Sequence, residues 1–140
     1  MKSRETLIKL HRFRAYEAKT KLAGLEGIRA DMGRKVVELD NHLSEEGRRA
    51  TENEIGRFAY PSFARSIRER KEKLAASIAE IDRSIAEARI DLQEAYQELK
   101  KFELAEEARV KREDEKRSQA ETNASDERNI QRFVRTRNAS

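Results

Sequence analysis

Gly47-Arg48-Arg49-Ala50-Thr51-Glu52-Asn53-Glu54-Ile55-Gly56-Arg57-Phe58-Ala59-Tyr60-Pro61 interrupts an otherwise continuous helical pattern. Two glycines, an asparagine and the one proline of the chain all disfavour helix here, and Thr51 with Glu54 has the spacing of a short capping box. The stretch reads as a bend over residues 51–61, with Pro61 or Ser62 opening the next helix at a position where a missing N–H costs nothing.

On either side of it apolar residues recur at alternating steps of three and four. Upstream, one row runs Ile8, Ala15, Leu22, Arg29, Val36, Leu43, Ala50, and the other His11, Ala18, Leu25, Met32, Leu39, Glu46. Downstream, the rows are Ile67, Leu74, Ile81, Ala88, Ala95, Phe102 and Lys71, Ile78, Ile85, Leu92, Leu99. A heptad sustained over so many turns predicts supercoiled helices over 4–50 and 62–114. Neither stripe can be buried alone, so the two helices must fold back on each other. The expected fold is all-α, an antiparallel coiled-coil hairpin roughly 65–70 Å long from the helical rise. Beyond the charged run Arg112-Glu113-Asp114-Glu115-Lys116-Arg117, residues 115–140 are polar apart from Ile130, Phe133 and Val134, and read as a fraying helix and mobile tail.

Charge and size matching suggest a register. Setting Leu22 opposite Ala95 brings Glu46 to Lys71, His11 to Glu106, Arg12 to Glu103 and Glu26 to Arg89, and leaves Arg29 to snorkel past Ala88. Setting Leu22 opposite Ala88 instead puts Glu26 near Asp82 and Lys71 on Leu39. The first register is therefore expected.

Composition agrees with this architecture. Of 140 residues 41% are charged, only 36% hydrophobic and 6% aromatic, which suits narrow helical stripes rather than a compact core. The net charge of +4 comes from 31 basic and 27 acidic side chains mixed along the chain, so most of the field cancels and nucleic acid is not an expected partner. The exception is the start, where Lys2, Arg4, Lys9, Arg12, Arg14, Lys19 and Lys21 face only Glu5 and Glu17. No apolar run is long enough to span a bilayer, the opening residues do not read as a signal peptide, and there is no cysteine. The expected compartment is the cytosol.

Nothing in the sequence points to catalysis. There is no phosphate-binding glycine loop, no nucleophile elbow and no Cys/His cluster, and two helices side by side make a ridge rather than a cleft. His42 with Glu38 and Glu45 at helical spacing reads as solvated charge rather than a metal site. No catalytic, cofactor or metal residue is expected. Two clusters remain as partner-binding candidates. Phe58, Tyr60 and Phe63 crowd the bend, either plugging the end of the hairpin or exposed for a partner. At the other end Arg4, Lys9, Arg12 and Arg14 lie beside Leu7 and Leu10, which the heptad leaves unused.

Met1-Lys2-Ser3-Arg4-Glu5-Thr6-Leu7, the bend segment Phe58-Ala59-Tyr60-Pro61-Ser62-Phe63-Ala64 with Arg68 and Arg70 after it, and Glu94-Ala95-Tyr96-Gln97-Glu98-Leu99-Lys100-Lys101-Phe102-Glu103 resemble the FliJ family of flagellar export proteins in its alphaproteobacterial form. The resemblance covers nearly the whole chain. It implies a nonenzymatic, cofactor-free coiled coil similar to the central stalk of rotary ATPases. Such a protein binds the flagellar export ATPase hexamer and promotes its activity. It also contacts the membrane export gate protein and the export chaperones, peripheral to the inner membrane at the flagellar base. The alternative is a coiled-coil spacer or adaptor with no role at an ATPase.

Overall fold

The computed structural model describes residues 2–139, side chains from Ser3 onward, so the expected basic residue Lys2 lies outside the described side chains. Two helices make up the fold, α1 over Lys2–Ala50 and α2 over Glu54–Ala139. The protein is all-α, and the two helices pack against each other. Every residue of the two heptad rows on α1, and of the two on α2 as far as Arg109, is buried or half-buried. Ala15, Ala50, Ile67, Ile85 and Ala88 are the most enclosed. Full burial of a side chain such as Ile67 is worth about 1.5–3 kcal/mol. Gly24 and Gly27 lie off the seam with open space around them, so they supply no packing to offset their low helix propensity.

Two compact units share these helices: Met1–His11 with Gln97–Ser140, and Arg12–Tyr96. The second contains the bend, which is shorter than expected. Among the described residues only 51–53 leave the helices, and Pro61 lies inside α2 rather than at its start. The reason is the cap. Asn53, not Thr51, starts α2: its Oδ1 accepts from the Gly56 N–H at 2.5 Å and its carbonyl from the Arg57 N–H at 3.2 Å. Thr51 instead closes α1, its hydroxyl donating to the Arg48 carbonyl at 2.7 Å. With the helix begun about two turns upstream of Pro61, the proline costs one backbone bond without stopping it. Gly56 leaves room for this cap, because a Cβ there would lie 2.9 Å from Asn53 Oδ1 and 3.1 Å from the Ala50 Cα.

The expected register is not observed. Lys71 reaches Asp40 at 2.5 Å rather than Glu46, and Arg29 donates to Asp82 at 2.9 Å instead of passing Ala88. Ala95 lines a groove with Ala18 rather than facing Leu22, and Leu39 lies beside Leu74, so the rejected register is not adopted either. The packing lies between the two. Of the expected flanking pairs, Glu26 and Arg89 do meet, at 3.7 Å.

The expected mobile tail is helical through Ala139, although every residue from Val110 to Ala139 is exposed. One-turn side-chain bonds of the kind that support a helix run from Arg109 to Glu113 at 2.7 Å and from Gln119 to Asn123 at 3.2 Å.

Candidate partner-binding surfaces

In the unit that holds the chain start, α1 and α2 enclose a shallow groove of about 370 Å³. Arg4, Leu7 and Ile8 line it from α1, and Phe102, Ala105, Glu106, Arg109 and Arg112 from α2. His11, expected opposite Glu106, stacks on Phe102 with ring centroids 4.5 Å apart and 18° between planes. Glu106 is occupied elsewhere. Arg109 grips it with two hydrogen bonds, Nη2 to Oε1 at 2.6 Å and Nε to Oε2 at 3.1 Å, while its Nη1 holds Glu113. The side chains of Arg109 and Glu106 are only 20% and 23% exposed. The hydrogen bond from Arg109 holds the Glu106 carboxyl below its ordinary 4.5. Partial burial opposes this, and the charges of Arg109 and Arg4 add to it. The same hydrogen bond raises the Arg109 guanidinium above its ordinary value.

With Glu106 neutralised in this way, the groove presents positive charge around an apolar floor. Arg4 and Arg112 form no ion pair among the described residues. Of the expected tip residues, Arg4 and Leu7 line the groove, while Lys9 and Leu10 are exposed but do not. Arg12 and Arg14 belong to the other unit. There Arg14 lines a second groove of mixed charge with Glu17, Lys21 and Asp91 over Ala18, Ala88 and Ala95.

The three bend aromatics also part company. The Tyr60 ring covers Gly47, and Phe63 meets His42 edge-on at 5.1 Å, so both are drawn into the packing. Phe58 is 91% exposed, and beside it Ile55, which the sequence reading passed over, is 83% exposed. Its signal was present: three residues from Phe58, it belongs to no heptad row. Phe13 and Tyr16 are exposed in the same way one step beyond Leu10.

Among the described residues no group of three or more His, Cys, Asp and Glu is placed to hold a metal ion, and no helix is long and apolar enough to cross a membrane. His42 Nε2 lies 3.9 Å from Glu46. No protein-family model matches the chain, and no curated protein or solved structure is significantly similar to it.

Proposed function

We propose that the chain is a nonenzymatic helical-hairpin component of a bacterial flagellar protein export apparatus, of the FliJ kind, acting in the cytoplasm at the flagellar base. It binds the export ATPase hexamer and promotes hydrolysis, and it links that ring to the membrane export gate and to substrate chaperones. The observation that carries the reading is the groove of Arg4, Leu7, Phe102 and Arg112. It offers two cations with no ion pair among the described residues and apolar area for contact in one place, which suits docking to an acidic protein surface. The sequence resemblance names the ring.

The test is hydrolysis by the purified export ATPase with and without this chain. Stimulation is expected, and it should weaken at raised salt. Each rim charge is worth up to about 1 kcal/mol, roughly a fivefold change in binding. Reversing Arg4 and Arg112 together to glutamate should therefore raise the half-stimulating concentration several-fold. Stimulation unmoved by reversal and by salt would put the contact elsewhere, and no effect on hydrolysis at all would leave the spacer reading.

A further inference from the structure

The two heptad rows of α2 do not stop where its burial stops. They continue through Lys116, Asn123, Ile130 and Arg137, and through Glu113, Ala120, Glu127 and Val134. Ile130 and Val134, with Phe133 beside them, are 63%, 47% and 66% exposed, a seam with nothing on it. Charge is divided sharply along the same segment. Residues 113–127 hold six acids (Glu113, Asp114, Glu115, Glu121, Asp126, Glu127) and two bases (Lys116, Arg117), a net of −4. Residues 128–137 hold Arg128, Arg132, Arg135 and Arg137 and no acid, a net of +4. A helix with an acidic stretch followed by a basic one is complementary in sign to itself reversed.

We infer that the exposed segment of α2 is a self-association surface, pairing antiparallel with the same segment of a second copy about a two-fold axis near Ser125. This placement sets the four arginines of residues 128–137 against residues 113–122 of the partner, where four acids (Glu113, Asp114, Glu115, Glu121) and two bases (Lys116, Arg117) leave a net of −2. It also stacks Ile130 on Ala120, lays Val134 along the Lys116 stem and faces Arg135 with Glu115. A parallel pair would stack like on like and is excluded by repulsion. A heterologous groove-binding mode is disfavoured too, because Asp126 and Glu127 before the apolar cluster and Arg137 after it confine it to about one turn, too short for anchors at i, i+3, i+4 and i+7. The inference rests on α2 alone and not on the export reading.

Sedimentation equilibrium of the full chain should show a reversible dimer at low salt, with the association constant falling at least tenfold in 0.5 M NaCl. The triple variant Arg128→Glu, Arg132→Glu, Arg135→Glu and the triple variant Asp114→Lys, Glu115→Lys, Glu121→Lys should each be monomeric with helicity intact. Mixed together they should pair, since each supplies the half the other lost. Ala120→Cys and Ile130→Cys chains should crosslink to each other. A wild-type monomer at low salt, variants that dimerise alone or fail to pair when mixed, or Ala120→Cys crosslinking to itself would each overturn the assignment.

Discussion

The Tyr60 ring lies across Gly47, its hydroxyl 3.1 Å from the point a Cβ there would occupy, so a residue of the bend cluster closes the packing between α1 and α2. Phe58, two residues earlier, touches none of it. Phe58→Ala should therefore leave the stability within about 0.5 kcal/mol of wild type, whereas Tyr60→Ala and Phe63→Ala should each cost about 1–3 kcal/mol. Thermal denaturation checks the ranking. A motility defect from Phe58→Ala at unchanged stability marks a partner contact.

The glycines divide in sign. Gly24→Ala and Gly27→Ala meet open space and should each stabilise by up to about 1 kcal/mol. Gly56→Ala would drive a Cβ into Asn53 Oδ1 and the Ala50 backbone, lose the α2 cap and cost about 1–3 kcal/mol. Urea midpoints at constant m-value distinguish the two classes.

Register can be read by crosslinking. Cysteines at Ala18 and Ala95, which line one groove, should form an intrachain disulfide readily, and cysteines at Leu22 and Ala95 should do so poorly. The reverse ranking would restore the register that charge matching suggested.

Acid should act through Glu106. Its carboxyl is held below 4.5 by Arg109, so its contribution to stability is fully present above that value and is lost as the pH falls through the lower folded pKa. Glu106→Gln should flatten the decline in melting temperature below about pH 4.5 and leave neutral stability less affected than Arg109→Met, which removes the donor to both Glu106 and Glu113.

The seam was fully legible because burial along one helix follows from the spacing of its own residues: every residue of the four heptad rows from Ile8 to Phe102 is protected. The axial offset between helices is not a property of either stripe. It follows from where the chain turns, and Pro61 misled on that point, since Asn53 starts α2 about two turns sooner and the shorter link draws Lys71 to Asp40. The partner-binding candidates were half legible. Arg4 and Leu7 come together because they share one face of α1, and Ile55 is legible as an apolar residue outside every heptad row, but the role of Arg109 depends on Glu106 and Glu113. The polar, exposed character of the tail was legible from composition, whereas a helix continuing to Ala139 was not, because few apolar residues mark it.

The three-residue link also sets the order of closure. Contacts near it, such as Tyr60 on Gly47, join residues close in sequence and lose little chain entropy, whereas Arg29 must find Asp82 across a separation of 53 residues, and His11 must find Phe102 across a longer one. Chain entropy therefore favours zipping from Asn53 toward the His11 stack and fraying the other way. The groove of Arg4 and Phe102 belongs to the last turns to close and the first to open, so a partner that seats there clamps the loosest end of the pair and slows its unfolding from that side.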